Sequence, residues 1–231
     1  MPRDVIIACD FSSSGETLRF LDSFKEKKPF VKIGMELYYA EGPRIVHDLK
    51  NRGHRIFLDL KLHDIPNTVE RAMRVLSGLD VDMVNLHAAG AHAMMEAALK
   101  GLTRPDGSRP LLIAVTQLTS TTEQIMREEL WISHPLSEAV LHYALNARQA
   151  GLDGVVCSPL EVENVHTHCG HAFITVTPGI RFADGAQDDQ RRITTPAEAR
   201  ELGSDYIVIG RPITAAYDPV EAYQRCLDDF I

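Results

Sequence analysis

The chain has 231 residues, of which 45% are hydrophobic, and a formal net charge of −8 at pH 7. This length and apolar content allow one large core, so we expect a single domain over residues 1–231. The acidic balance and the lack of any Lys/Arg-rich run argue against nucleic acid or an anionic membrane as a partner.

The chain begins with Asp4 and Asp10 on either side of a short apolar stretch. That stretch is too short for a signal peptide, and no later apolar run approaches the length that spans a membrane. We therefore expect a soluble, cytoplasmic protein with no membrane partner.

Eight short β-branched runs then alternate with amphipathic segments. The runs cover residues 5–9, 30–33, 56–60, 83–86, 111–115, 154–157, 173–177 and 206–209. Helical periodicity marks the intervening segments, among them 16–25, 44–51, 68–76 and 220–230. Glycines expected as left-handed helix caps follow helical patterns at Gly53, Gly78, Gly151 and Gly203. Eight alternating units without a linker favour an α/β fold, a single-domain (β/α)8 TIM barrel, over an open doubly wound sheet.

Polar and charged residues gather at the ends of the predicted strands. They are Asp10, Lys32, Asp59 with Lys61, His87, Thr116 with Gln117, Ser158, Thr177 to Gly179, and Gly210 with Arg211. Barrel enzymes carry their chemistry at the carboxyl ends of the strands, so we expect the substrate to bind there.

Asp59 and Lys61 are two residues apart on the third run, a spacing that points both side chains to the same side of a strand. Charges facing a barrel interior are costly unless paired, so we expect an ion network with Lys32 and Asp10 as neighbours. One interpretation is a structural salt bridge. The other is a carboxylate–ammonium–carboxylate array, completed by Asp64, that aims a protonated lysine at a developing carbanion without a metal.

Other residues with reactive side chains fit structural roles better. Cys9, Cys157, Cys169 and Cys226 are scattered and form no C-x-x-C pair, which suggests buried thiols. The cluster of His166, His168, Cys169 and His171 has metal-ligand types but crowded spacing, so we interpret it as a polar surface loop. We assign packing or supporting roles to His63 and His87.

The segment 57–69, FLDLKLHDIPNTV, closely resembles the signature D-x-K-x-x-D-I-P-x-T of orotidine 5'-monophosphate decarboxylases. The likeness extends to six strand ends in matching order: ACD at 8–10, VKIGME at 31–36, NLHAAG at 85–90, VTQLTS at 115–120, TPGIR at 177–181 and IGR at 209–211. Asn67 stands where members of that family vary. The resemblance implies a barrel that converts orotidine 5'-monophosphate to uridine 5'-monophosphate (UMP) and carbon dioxide, the last step of UMP biosynthesis, with no cofactor and no metal.

The resemblance also implies roles for the charged residues. Lys61 matches the lysine that protonates C6 of the pyrimidine, and Asp59 matches the aspartate beside the departing carboxylate. Lys32 matches the lysine that completes the charge network and reaches the ribose. Asp10 matches a contact to a ribose hydroxyl, and Thr119 a contact near the pyrimidine.

A homodimer with two shared sites is implied as well. The aspartate matching Asp64 is supplied across the dimer interface in that family. Ile65 and Thr68 of the same loop match residues that line the partner's site.

The phosphate is expected at the ends of strands seven and eight. Arg181 and Arg211 would grip it with paired hydrogen bonds, and backbone N–H groups around Gly210 would add neutral donors. Pro178 is a further expected contact. The polar segment between Ile180 and Ile193 suits a closing lid, in which Gln190 matches the family residue that touches the phosphate.

Three alternatives stay open on the sequence. A magnesium-dependent sugar-phosphate decarboxylase or aldolase of the same suprafamily would use Asp59 and Asp64 near its metal. A noncatalytic nucleotide-binding barrel would bind uridylate tightly without turnover. A purely structural dimer would leave the inward charges unexplained.

Overall fold

The computed structural model describes residues 3–25, 27–183 and 193–231. Eight parallel strands form a closed barrel in chain order, and the last strand pairs with the first. They are β1 (Asp4–Ala8), β2 (Phe30–Gly34), β3 (Ile56–Leu62), β4 (Met83–His87), β5 (Leu111–Val115), β6 (Gly154–Val156), β7 (Ile174–Thr177) and β8 (Tyr206–Ile209). The predicted (β/α)8 TIM barrel is confirmed.

Helices follow the strands around the outside of the barrel. They are α1 (Ser14–Asp22), α2 (Met35–Glu41), α3 (Pro43–Asn51), α4 (Pro66–Ser77), α5 (Ala91–Leu102), α6 (Glu123–Glu128), α7 (Leu136–Gln149), α8 (Val162–Cys169), α9 (Pro196–Glu201), α10 (Arg211–Thr214) and α11 (Pro219–Phe230). Local chemistry fixes several of their starts. Ser13 caps α1 by accepting a hydrogen bond from the Glu16 N–H, and Thr195 and Glu198 form a reciprocal capping box at α9.

Three sequence expectations about these elements are wrong. Helix α1 ends at Asp22, not at Lys25: the Phe24 and Lys25 N–H groups donate to carbonyls three residues back, and Lys25 has a left-handed φ of 51°. Gly78 keeps a right-handed conformation at the end of α4, and the left-handed turn falls instead on Asp80, with φ 54°. The histidine-rich segment continues helix α8 to Cys169, so it is not a surface loop.

The other predicted glycine caps do have left-handed backbones: Gly53, Gly151 and Gly203 have φ values of 86°, 84° and 89°. No helix in the described part of the chain is long and apolar enough to cross a membrane.

Two apolar clusters stabilise the barrel, one inside the strands and one between strands and helices. The inner cluster consists of Ile6, Ala8, Phe30, Phe57, Met83, Ile113, Ile174, Val176, Tyr206 and Val208. Alternate strand residues such as Ile7, Ile33 and Leu58 belong to the outer cluster, under the helices. This period of two is the pattern of a strand whose faces meet different surroundings. It decides which side chains enter the barrel.

Candidate active site

The inward-facing positions change from apolar to polar toward the carboxyl ends of β2, β3 and β4. Phe30, Phe57 and Met83 belong to the inner apolar cluster. Two residues further along each strand come Lys32, Asp59 and Asn85, which line one cavity above that cluster. The strand period therefore carries three polar side chains to the same level of the barrel mouth.

The charged side chains form one chain of ion pairs. Lys32 Nζ lies 2.8 Å from Asp10 Oδ1 and 3.3 Å from Asp59 Oδ2. Lys61 Nζ lies 2.6 Å from Asp59 Oδ1. The expected network of Asp10, Lys32, Asp59 and Lys61 is thus present, with Asp59 between the two lysines.

Burial and pairing act in opposite directions on these groups. Burial by itself raises the pKa of the Asp59 carboxyl, but Lys32, Lys61 and the Asn85 amide hold that pKa below its ordinary value. Burial by itself lowers the pKa of Lys32, and the carboxylates of Asp59 and Asp10 more than compensate, so its pKa is raised. Each of these two residues therefore stays charged because of its partners.

Lys61 reaches Asp59 by a route that the sequence did not predict. Its φ is 52°, and the register of β3 against β4 shifts between Leu58 and Leu62, which marks a bulge. Both residues lie on β3 and their side chains meet as expected, but they do so through this bulge and not along a regular ladder. Within the bulge, the Lys61 N–H donates to Asn85 Oδ1 at 2.8 Å.

Two adjoining cavities open at this end of the barrel. One, of about 300 Å³, has the ion network on one side and Thr119 and Pro178 among its other lining residues. The second, of about 410 Å³, is lined by Asp10, Gly179, Arg181, Gly210 and Arg211, among others. Lys32, Pro178 and Val208 line both cavities. The residues expected to contact the pyrimidine and those expected to contact the phosphate thus line two neighbouring cavities.

The two ends of the expected lid are held together beside the second cavity. Ile180 and Thr194 form an isolated parallel bridge, in which the Arg181 N–H donates to Thr194 O at 3.0 Å. The Thr194 N–H donates in turn to Gly179 O at 3.2 Å. Gln190 and the rest of 184–192 lie outside the described residues.

Three of the expected site residues are not part of either cavity. Asp64, Ile65 and Thr68 are exposed between the end of β3 and the first turn of α4, and none of them lines the cavities of its own chain. The Asp64 carboxylate accepts a hydrogen bond from the Ile65 N–H at 2.6 Å. In the single chain, this loop is therefore exposed to solvent at the carboxyl end of the barrel, outside both cavities.

Sequence reasoning overlooked several residues that line the first cavity. Asn85, with 1% of its surface exposed, is one of them, and Ser120, which follows β5, is another. Gln117, expected near the substrate from its place at a strand end, also lines this cavity. A signal for Asn85 was present in the sequence. It lies two residues after Met83, so a polar residue occupies an inward position of a strand whose neighbours are apolar.

The other reactive residues lie away from the ion network or are buried as neutral groups. His166 lies 3.2 Å from Asp205 Oδ2, and the Asp205 carboxylate also accepts from Thr175. Burial raises the pKa of the Cys9 thiol to about 12. Burial lowers the pKa of His87, as do nearby His63 and Lys61. Among the described residues, no group of three or more His, Cys, Asp or Glu side chains is arranged to hold a metal ion.

Comparison with known proteins gives consistent matches over nearly the whole chain. Residues 3–226 match the family described as "Orotidine 5'-phosphate decarboxylase / HUMPS family". The chain is 61% identical over 223 residues to an orotidine 5'-phosphate decarboxylase from Geobacillus sp. (strain WCH70), covering 95% of this chain and 93% of that protein. A Bacillus cytotoxicus protein of the same name is 57% identical over 227 residues, covering 97% and 95% of the two chains.

A solved structure agrees in fold as well as in sequence. The crystal structure of orotidine 5'-phosphate decarboxylase from Lactobacillus acidophilus superposes with a TM-score of 0.87 and 41% sequence identity. The match covers 99% of each chain.

Proposed function

The chain belongs to the orotidine 5'-phosphate decarboxylase / HUMPS family, and from that premise we propose that it decarboxylates orotidine 5'-monophosphate with Lys61 as the proton donor. The products are UMP and carbon dioxide, and the reaction completes UMP biosynthesis. The observation that carries the proposal is the position of the Lys61 ammonium, 2.6 Å from the buried Asp59 carboxylate in the wall of a cavity.

The chemistry follows from the charge that develops in this cavity. When the bond between C6 and the carboxylate breaks, the electron pair stays on C6 as a localised carbanion. The Lys61 ammonium stabilises that negative charge and then transfers a proton from Nζ to C6. Lys61 is left as a neutral amine, and it regains its proton from solvent before the next turnover.

Asp59 holds the Lys61 donor in place, and Lys32 pairs with the second oxygen of the same carboxylate. Asp59 accepts hydrogen bonds from Lys61 and Asn85 on one carboxylate oxygen and lies close to Lys32 through the other. Asp59 also lies where the departing carboxylate is expected, and Lys32 extends toward the second cavity, where Asp10 meets the ribose.

Much of the substrate's binding free energy comes, in this proposal, from phosphate contacts in the second cavity. Arg181 and Arg211 line it and would pair with the phosphate oxygens, with Gly210 and Pro178 on the wall. Thr119 lines the first cavity, near the pyrimidine. Contacts to the phosphate, remote from C6, then help to organise the site for the chemical step, and Gln190 adds to them from the lid.

The active form is a homodimer in this proposal. Asp64, Ile65 and Thr68 are exposed beside the mouth of their own barrel, where a partner subunit can approach them. Two-fold pairing would let each subunit lend this loop to the other's site. We further place the enzyme in the cytoplasm, as one domain over residues 1–231 without nucleic-acid or membrane partners.

A magnesium-dependent sugar-phosphate decarboxylase or aldolase is the second candidate, because the matched family carries a second name, HUMPS, beside orotidine 5'-phosphate decarboxylase. Its metal would need the Asp59 carboxylate as a nearby ligand. Both oxygens of that carboxylate already face lysine ammonium groups, at 2.6 and 3.3 Å. A divalent cation would be repelled by these two charges, which favours the metal-independent reaction.

The test is turnover of orotidine 5'-monophosphate by the purified chain in the presence of a chelator, followed by ultraviolet absorbance. We expect conversion to UMP that survives chelation and is lost in Lys61→Ala. Nucleotide binding without turnover would favour a noncatalytic barrel. Activity only on a sugar phosphate, and only with magnesium, would move the chain to the second candidate.

A further inference from the structure

We propose that Asn85 is a positioning residue that holds the proton donor of this site in its reactive geometry. The inference rests on the proposed function of Lys61 and extends it to a buried amide that lines the first cavity and does not line the second. Asn85 lies on β4, directly beside the bulge of β3, and only 1% of its surface is exposed.

The bulge takes the Lys61 N–H out of the regular strand ladder, and the Asn85 side chain accepts its hydrogen bond. Leu58 and Leu62 are four positions apart on β3, whereas their partners Val84 and Leu86 on β4 are two positions apart. The extra residues interrupt the regular ladder, and Lys61 takes a left-handed backbone with φ 52°. Asn85 is the residue between those two partners, and its Oδ1 accepts the Lys61 N–H at 2.8 Å. A side-chain oxygen thereby serves as the acceptor for an amide inside the bulge.

The NH2 group of the same amide binds Asp59, the counterion of Lys61. Asn85 Nδ2 donates to Asp59 Oδ1 at 2.6 Å, the oxygen that also accepts from Lys61 Nζ. Asn85 thus contacts the Lys61 backbone and the carboxylate that fixes the Lys61 side chain. The two contacts also determine the amide orientation, because a flip would place Oδ1 against the Asp59 carboxylate.

A neutral amide suits this position better than the alternatives. An aspartate would retain an acceptor for the Lys61 N–H, but its charge would lie against Asp59. An alanine or leucine would leave the partly buried Lys61 N–H without this acceptor. Asparagine supplies one donor and one acceptor without adding charge to the network.

The experiment compares three variants with the wild-type chain, using turnover per active site, KM and the midpoint of thermal unfolding. Asn85→Ala should lower kcat by about 10²-fold, the typical effect of a reacting group displaced by about 1 Å, with KM changed much less. UMP should still bind, because the phosphate cavity is intact. Thr175→Val is the matched control: it removes the hydrogen bond that the fully buried Thr175 hydroxyl donates to another aspartate, Asp205, at 2.9 Å. It should lower the unfolding midpoint and leave kcat unchanged.

Asn85→Asp adds a second measurement, the pH dependence of kcat, which would not change if Asn85 had only a structural role. Protonated, the new carboxyl can donate to Asp59 and accept from Lys61 N–H, as the amide does. Ionised, it can only accept, and it repels Asp59. Its kcat should therefore approach that of the wild type at low pH and fall as pH rises, across a range where the wild-type kcat is flat.

Wild-type kcat and an unchanged pH profile in these variants would overturn the proposal. If Asn85→Ala does not fold, the pH profile of Asn85→Asp, which preserves size and the acceptor, decides the question. Failure of the proposed function itself would look different, because the wild-type chain would then not turn over orotidine 5'-monophosphate.

Discussion

The Lys32 ammonium lies 3.3 Å from the Asp59 carboxylate, and the side chains are only 11% and 9% exposed. Neither charge is adequately hydrated at that depth, so each depends on the other for its stability as an ion. The pair lies between the inner apolar cluster of the barrel and the polar residues at its carboxyl end. Its removal should affect folding as well as catalysis.

Asp59→Asn should abolish most turnover and lower the free energy of unfolding by about 3 kcal/mol, because the buried Lys32 and the partly buried Lys61 lose their shared counterion. Lys32 keeps Asp10 at 2.8 Å, which limits the loss. Urea unfolding measures the effect. Asp22→Asn is the control, since its pair with Arg52 is largely exposed and should contribute below about 1 kcal/mol. Equal losses in the two variants would contradict this account.

The contribution of Asp59 to stability should disappear in acid. Its pKa in the folded chain is below the ordinary value of 3.8, so the contribution is present above that pH and is lost as pH falls through the folded pKa. The pKa of Lys32 is raised above 10.5, so its contribution is lost only as pH rises through the higher folded value. The unfolding free energies of wild type and Asp59→Asn should therefore differ at neutral pH and converge below about pH 4. A constant difference down to strongly acidic pH would refute the linkage.

Arg211→Ala should weaken the reaction through the phosphate alone. Loss of charge-assisted hydrogen bonds costs about 1.5–3 kcal/mol, or roughly 10- to 150-fold in kcat/KM for orotidine 5'-monophosphate. Decarboxylation of orotidine, which lacks the phosphate, should stay unchanged. Arg52→Ala, which removes an arginine paired with Asp22 away from both cavities, serves as the control. Equal losses on both substrates would place Arg211 outside phosphate binding.

Mixing two inactive variants should restore activity if Asp64 acts across a dimer interface. Lys61→Ala and Asp64→Ala chains, unfolded together and refolded, would form mixed dimers with one site carrying both native residues. Half of the dimers are mixed and one of their two sites is native, so about a quarter of wild-type activity should return. Each variant refolded alone is the control. No recovery, with mixed dimers detected by mass, would place Asp64 in its own chain's site.

Gly101→Ala should destabilise the barrel without touching the site. A Cβ at Gly101 on α5 would meet the Glu70 carbonyl oxygen of α4 at 2.1 Å, and a backbone atom cannot move aside cheaply. We expect a loss of about 1–3 kcal/mol in unfolding free energy. Gly15→Ala in α1 is the matched helical control, because its nearest neighbour is the flexible end of Arg19 at 3.4 Å. It should be neutral or slightly stabilising.

The barrel was predictable because each strand carries its own signal. Inner and outer positions alternate between two apolar environments, and glycines such as Gly53 and Gly151 end helical patterns with left-handed backbones. Gly78 was mispredicted because glycine permits a left-handed turn without requiring one. The neighbouring Asp80 took that conformation instead.

The site was only partly predictable, for a physical reason. The spacing of two residues predicted that the side chains of Asp59 and Lys61 would meet, and they do. They meet through a bulge in β3, which a lysine in the sequence does not indicate. A left-handed lysine depends on tertiary contacts, here with Asn85, that no local pattern encodes. The roles of Asp64, Ile65 and Thr68 depend on a second subunit, so they stay predictions.

The apolar floor beneath the ion network has a consequence for the order of events in a catalytic cycle. Ile6, Phe30, Phe57, Met83 and Tyr206 fill the lower interior, so among the described residues the reaction chamber has no lower exit. Substrate, carbon dioxide, product and water must then all pass through the opening at the carboxyl ends of the strands. A nucleotide seated there stands between Lys61 and bulk water. If Lys61 is the proton donor, we therefore expect its amine to be reprotonated only after the product has left the site.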